Sequence, residues 1–339
     1  MIGYYVHHQG AGHLRRLGAV QSRLRSPLTV LSSLPRPEDH AGEWLELARD
    51  DLDPAPADVD AHATLHWVPR HDRGLAERAA SLTAWLARER PSVVVVDVSV
   101  EVAVLVRLAG VPVVVVAMPG ERSDRAHLLG YDLADALVAP WPAHVRSTWP
   151  QRWLDKTWHV GAFSRYDGRP RPPRPAFSAR GLLLWGDGGA APTADRFAEL
   201  RRATPGWSWQ LACQGHRLGA DQLWSALTTS DVVVTHGGQN AVAEVAAARV
   251  PAVVVADPRP FDEQADTVRT LHRIGTAVGL DRWPDASRWP ALLERALRLG
   301  GDGWRTWAPG DGAHRMAALL DEYDDLYVSG PPSTIGLDA

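Results

Sequence analysis

The chain of 339 residues contains one cysteine, Cys213, and one lysine, Lys156. A single thiol excludes an internal disulfide framework and points to a reducing, cytoplasmic setting. With lysine nearly absent, arginine supplies the other basic side chains, a bias that reads first as one of codon usage. No apolar run approaches the ~20 residues that a membrane span needs. VVVVDV and VPVVVVA are short and are separated by charged residues. Nor is there an excess of positive charge. The formal net charge of −4 argues against a nucleic-acid-binding surface. The opening MIGYYVHHQGAGH lacks the basic segment and longer apolar core of a secretion signal, and reads instead as a strand and a glycine loop.

What is present is enough for two domains, each with its own core: 45% of residues are hydrophobic and 22% charged. Tryptophan is abundant. Its faces can stack on sugar rings, but it mostly fills cores and interfaces, so packing is the first expectation at each one.

Short apolar runs alternate with helical patterns along the whole chain, which predicts doubly wound parallel sheets. GYYVHH (3–8), LTVLSS (28–33), TLHWVP (64–69), SVVVVDV (92–98), VPVVVVA (111–117), ALVAP (136–140) and TWHVGA (157–162) read as strands. Helices are expected over about 14–24, 73–90 and from 98 to about 109. Residues 35–62 read as a long loop around a short helix, EWLELARD. Residues 163–180 hold four prolines and no hydrophobic period, and form the best linker. The alternation then restarts with GLLLWG (181–186) and SWQLAC (208–213). It continues through helices near 194–203, 220–228, 262–273 and 287–299, and a strand TAVGL (276–280). The division is 1–162, the linker 163–180, then 181–328, with a frayed tail at 329–339.

Residues 231–264 organise the rest. DVVVT is a strand buried on both faces, HGG breaks it, and an alanine-rich helix runs from Asn240 to Arg249. Pro251 then starts the second buried run, PAVVVA. Such a turn presents backbone N–H groups and the positive end of a helix dipole at the carboxyl edge of a parallel sheet, where anions bind. Glycine lets a phosphate come close because no Cβ intervenes.

HGGxNxxxE followed by AAxxVPxVVVxxxPxxDEQ resembles the donor-sugar motif of the GT-B glycosyltransferases. It is most similar to glycosyltransferase family 28, typified by the peptidoglycan N-acetylglucosaminyltransferase, and to the related UDP-glycosyltransferases. The resemblance implies a GT-B architecture, with two Rossmann-like parallel-sheet domains facing across a cleft and a terminal helix crossing back to the first. It also implies that His236, Gly237 and Gly238 hold a pyrophosphate and that Asn240 supports the phosphate loop. Glu244 would accept from ribose hydroxyls, as a carboxylate can do from two at once. Asp262, Glu263 and Gln264 would reach the donor sugar. WGDGG (185–189) resembles a second phosphate loop, with Gly186, Gly188 and Gly189 as N–H donors. Asp187 is a departure there, since a carboxylate repels a diphosphate.

GAGH (10–13) resembles the acceptor-side loop of the superfamily. His13 is then the candidate general base, with Asp97 to orient it. His7, His8 and Glu101 compete for that role, and Arg15 and Arg16 could meet an anionic acceptor or simply form a solvated helix face. His216 and Arg217, in QGHRLG (214–219), would approach the nucleotide base by analogy. The acidic pairs Asp51/Asp53 and Asp58/Asp60 mimic a metal-binding DxD, but lie in the wrong domain for the donor and read as a solvated loop.

The expected activity is inverting, metal-independent transfer of a sugar from a nucleoside diphosphate, UDP first, to an acceptor hydroxyl. No cofactor or metal is expected. The acceptor is unassigned, and contact with a membrane surface is expected only if it is a lipid. A UDP-N-acetylglucosamine 2-epimerase-like enzyme would share the fold but need no acceptor. A non-catalytic nucleotide-binding or partner protein would bind the donor without turnover.

Overall fold

The computed structural model describes residues 1–9, 12–145, 149–186 and 192–329. Two parallel sheets organise it. The first contains β1 (Ile2–Val6), β2 (Leu28–Ser32), β3 (Glu43–Glu46), β4 (Val93–Asp97), β5 (Val113–Val116), β6 (Ala136–Ala139) and β7 (Thr157–His159), in spatial order β3-β2-β1-β4-β5-β6-β7. The second contains β8 (Arg180–Leu184), β9 (Ser208–Ala212), β10 (Val232–His236), β11 (Ala252–Val255) and β12 (Val278–Leu280), in order β12-β11-β10-β8-β9. The valine runs form the central strands because both faces are covered: Val93 to Val96 and Val232 to Val234 are fully buried. Each such side chain contributes roughly 1.5–3 kcal/mol on burial.

Strand order reverses between β1 and β4 in one sheet and between β8 and β10 in the other. Loops leaving opposite ways open a crevice at such a point, which is where open parallel sheets bind ligands. In the first domain the loops lead into α1 (Gly12–Gln21), α2 (Arg73–Glu89), α3 (Val100–Leu108), α4 (Arg125–Leu133) and the single turn α5 (Gln151–Leu154). The second carries α6 (Ala194–Ala203), α7 (Ala220–Thr229), α8 (Gln239–Ala248), α9 (Glu263–Arg273), α10 (Trp289–Leu299) and the short α11 (Trp304–Trp307).

The last helix, α12 (Gly312–Ser329), lies on the first sheet. Ala313, Met316, Ala317 and Leu320 are fully buried among Ile2, Tyr4, Val93 and Val95. The Asp321 carboxylate accepts from the backbone N–H of Arg25 at 3.1 Å and of Ser26 at 2.9 Å, fixing the helix to the α1–β2 turn. Residues 163–179 contain no helix or strand, but they are tied down: the Tyr166 hydroxyl donates to the Ala220 carbonyl at 2.7 Å and its ring packs on Trp224.

Two expectations fail in the first domain. EWLE is not helical; it pairs with β2 as the edge strand β3, Glu43 beside Thr29 and Glu46 beside Ser32. Its two glutamates face solvent, where an edge strand tolerates charge. TLHWVP joins no sheet. Val68 N–H donates to the Val59 carbonyl at 2.6 Å, while the N–H groups of His66 and Trp67 both donate to Glu101 Oε1. Those bonds satisfy the backbone locally and remove the need for a strand partner. Helices α4 and α5 were not expected from the pattern.

Candidate active site in the interdomain cleft

A cavity of about 730 Å³ lies between the carboxyl ends of the two sheets, with walls from both domains. His13, Gly186, His236, Gly238, Asn240, Glu244, Glu263 and Gln264 all line it. The domains meet closely there: a Cβ placed on Gly12 would stand 2.5 Å from the Asn240 side-chain amide.

On the second-domain wall, β10 ends at His236 and Gly238 stands just before α8, a residue with no side chain to cap the helix. The leading N–H groups of α8 therefore carry the partial positive charge of the helix start toward the cleft. His236 is buried, and burial is the main reason its pKa falls to about 4, so the ring is neutral at pH 7. Both its nitrogens are approached by backbone N–H groups: Gly186 N–H reaches Nε2 at 3.2 Å and Gly238 N–H reaches Nδ1 at 3.1 Å. A neutral imidazole has one acceptor nitrogen, so it can satisfy only one of the two. The other glycine N–H is left for an additional acceptor. Gly237 differs, because its N–H donates to the Val255 carbonyl at 3.1 Å and belongs to the sheet. A Cβ on Gly237 would come within 2.9 Å of the Gln264 carbonyl, so glycine is required there for packing.

Glu244 is buried one turn into α8 and pairs with Arg165 of the 163–180 segment, Nη2 to Oε1 at 2.9 Å. Burial raises its pKa, while Arg165 and then Arg15 draw it back. Glu263 faces the cleft, with Arg122 Nη2 3.7 Å away. Gln264 is buried and its Oε1 accepts from the Asp257 N–H at 3.1 Å. Asp262, with φ of 53°, does not line the cleft but a smaller cavity beside it, together with Asp266. Gly188, Gly189 and Asp187 lie outside the described residues, as do Gly10 and Ala11 of the first glycine turn and the tail from 330.

On the first-domain wall, Asp97 ends β4 and is fully buried. Burial works to raise its pKa, but Arg16 and His13 outweigh that and hold the carboxyl below its usual value. Arg16 Nη1 donates to Asp97 Oδ1 at 2.5 Å, and its Nη2 donates across the cleft to Gln239 Oε1. His13 Nδ1 lies 3.1 Å from the same Asp97 oxygen, close but off the line of a good hydrogen bond. The ring leaves Nε2 for another partner. His7 stacks on His8 and is depressed to about 3, by burial first and then by His13, His8 and Arg78.

Several cleft residues were not foreseen. Arg16 is a buried bridge between domains, not a solvated helix face. Phe261, at a φ of 61°, projects from the second domain against the His66 and His127 rings, and Arg122 lies over its face at 5.0 Å. Asp124 joins those histidines: His66 Nε2 is 3.0 Å from Oδ1, and His127 Nδ1 contacts Oδ2. Burial alone would raise Asp124, yet the bonds from His127 and His66 bring it to about 2. The only hint in sequence was an undivided stretch, 119–156, with no motif to read. The acidic pairs are not simply solvated: Asp58 and Asp51 are half-buried, Asp58 pairs with Arg70 at 2.7 Å, and Asp51 pairs with Arg49 at 2.6 Å and lies 3.2 Å from His8 Nε2.

Residues 218–283 match the model of the glycosyltransferase family 28 C-terminal domain, which covers α7, the β10–α8 turn and α9. No curated protein matches the chain by sequence. Solved structures match it over nearly its full length. The glycosyltransferase of kitacinnamycin aligns with TM-score 0.64 at 16% identity, covering 95% of this chain and 98% of its own. Acinetobacter baumannii MurG aligns with TM-score 0.64 at 14% identity, covering 95% and 99%. CalG4, the calicheamicin glycosyltransferase, aligns with TM-score 0.61 at 18% identity, covering 98% and 99%. The chain therefore has a GT-B fold over nearly its whole length, and the stretch of the cleft wall that carries His236 and Glu244 lies within the match to the glycosyltransferase family 28 C-terminal domain.

Proposed function

We propose that the protein transfers a sugar from a nucleoside diphosphate, UDP first, to an acceptor hydroxyl, with inversion and without a metal ion. The observation that carries this reading is the pair of glycine N–H groups competing for one neutral histidine at an uncapped helix start. A phosphate oxygen supplies the missing acceptor. Glu244 takes the ribose hydroxyls, using the lone pairs that Arg165 leaves open. Glu263 and Gln264 lie on the sugar side, whereas Asp262 has no direct part because it faces away from the cleft.

As the sugar–phosphate bond breaks, negative charge grows on the leaving diphosphate. The start of α8 and Arg259 on the cleft wall stabilise it. One helix terminus contributes only ~0.3–2 kcal/mol, so these donors act together. His13, steadied by Asp97, takes the acceptor proton on Nε2 while the acceptor oxygen attacks the anomeric carbon from the opposite face. Closure of the two walls excludes water and suppresses donor hydrolysis.

The test is calorimetric titration of UDP, dTDP and GDP into the parent protein and into Glu244→Ala and His236→Ala. One nucleotide is expected to bind, with each substitution weakening it at least tenfold (~1.4 kcal/mol). Absence of binding, or binding indifferent to both substitutions, would sink the reading.

A further inference from the structure

The turn that leads into α9 holds two consecutive residues, Phe261 and Asp262, in the left-handed region, at φ of 61° and 53°. That conformation is costly for any residue with a Cβ and is an outlier for a bulky one. It persists only where the surroundings hold it. Asp262 stands at the head of α9 without capping it, so the helix does not supply that hold through a side-chain bond. The first domain does. The Phe261 ring centroid is 4.6 Å from that of His127 and 5.5 Å from that of His66, and Arg122 lies over its face at 5.0 Å. The Phe261 carbonyl accepts from the Glu121 N–H at 2.8 Å.

The first domain builds this socket by itself. Arg122 is buried and donates to the Pro119 carbonyl at 2.6 Å, to the Met118 carbonyl at 3.3 Å and to His127 Nε2 at 3.1 Å. Arginine has no acceptor, so His127 carries its proton on Nδ1, toward Asp124. Asp124 Oδ1 in turn holds His66 Nε2 at 3.0 Å. Every one of these bonds lies within the first domain, and Phe261 enters from the second.

Glu263, two residues on, is bounded from the same side. A Cβ on Gly120 would stand 2.2 Å from the Phe261 carbonyl oxygen and 2.9 Å from the backbone N and Cα of Glu263. Gly120, at φ of 95°, is therefore a glycine because the second-domain backbone passes against it. Its N–H donates to Asp266 Oδ2 at 3.3 Å, and Arg122 Nη2 lies 3.7 Å from the Glu263 carboxylate.

We propose that Phe261 is a positioning residue for the donor sugar: docked in the first-domain socket, it sets Glu263 against the sugar, so the sugar is read only while the two domains are joined at this point. The proposal rests on the transferase reading and adds the interdomain contact on which sugar recognition depends. When the contact opens, the turn is free to leave its left-handed conformation, and Glu263 loses the place that Gly120 and Arg122 give it. The nucleotide is held independently, with His236 fixed by Gly186 and Gly238, and Glu244 by Arg165.

The test is calorimetric titration of the full chain with UDP-glucose against UDP and with dTDP-glucose against dTDP. The ratio of the two affinities in a pair isolates the sugar. Phe261→Ala is expected to weaken the sugar nucleotide at least fivefold and to leave the bare nucleotide within twofold of the parent. Gly120→Ala, which pushes the same contact apart from the first-domain side, is expected to do likewise. Phe261→Tyr keeps the ring and should hold the parent ratio within twofold. Glu263→Gln sets the reference loss, and adding Phe261→Ala to it should weaken the sugar nucleotide by no more than a further twofold, since both changes remove one interaction. The proposal is overturned by a ratio that neither Phe261→Ala nor Gly120→Ala moves, by an equal loss for the bare nucleotide, or by sugar nucleotides indifferent to Glu263→Gln. A nucleotide that binds with the ratio unmoved removes this inference alone, whereas absent nucleotide binding in the parent removes the donor site itself.

Discussion

At the cleft, α3 and α4 of the first domain begin differently from α8 of the second. In the first, α3 starts under Ser99, whose hydroxyl accepts from the Val102 N–H at 3.3 Å. Its neighbour α4 starts under Asp124, which accepts from the His127 N–H at 3.1 Å. In the second, Gly238 stands just before α8, which has no side-chain cap. A cap answers the exposed N–H groups of a helix with the protein's own oxygen; a glycine start leaves them to whatever enters the cleft. On the proposed reading, the anion goes to the second wall and proton transfer to the first.

The sharpest way to break that contrast is His13→Ala. If the first wall handles only the proton, transfer is expected to fall by ~10²–10⁴, the range of a lost general base, with nucleotide affinity within twofold of the parent. A parallel loss of nucleotide affinity would show that the walls do not divide the work.

The next effect concerns pH. His236 has a folded pKa of about 4 against an ordinary value of 6.5, so between those values the unfolded chain binds a proton that the folded one refuses. Stability should therefore be full above pH 6.5 and fall as pH drops toward 4, by on the order of 3 kcal/mol at 1.36 kcal/mol per unit. In thermal melts from pH 7 to pH 4, His236→Gln is expected to flatten that part of the profile. An unchanged slope would place the titration elsewhere.

The smallest effect is Ser99→Ala. Loss of the cap should cost about 1 kcal/mol in chemical denaturation and leave nucleotide titrations unaltered. A change in nucleotide affinity would mean that the start of α3 also reaches the donor.

The same contrast explains what could be read from sequence. The second-domain wall is local: strand, turn and helix follow each other through 231–264, so His236, Gly238, Asn240 and Glu244 reach one cavity because they are neighbours in the chain. The first-domain wall is not local. His66 is held by Glu101, Asp124 gathers His66 and His127, and Arg16 reaches Gln239 in the other domain. No periodicity records such meetings. The misread strand at TLHWVP has the same origin, since its β-like composition is overruled by Glu101, a residue 32 or more positions further on. Arg16 looked like a surface charge because only the fold brings Asp97 beneath it. Asp262 shows the converse: it sits in a motif of neighbours, yet it has a left-handed backbone and lines the smaller cavity beside the cleft.

The return of α12 to the first sheet has a consequence for how the protein is made. The strands of that sheet are synthesised first, but the helix covering Ile2, Tyr4, Val93 and Val95 emerges last, after the whole second domain. During translation the first domain waits with an apolar face uncovered while its successor can already close. A chain stalled on the ribosome before residue 312 would still show the first-sheet face that α12 covers, a surface open to chaperones.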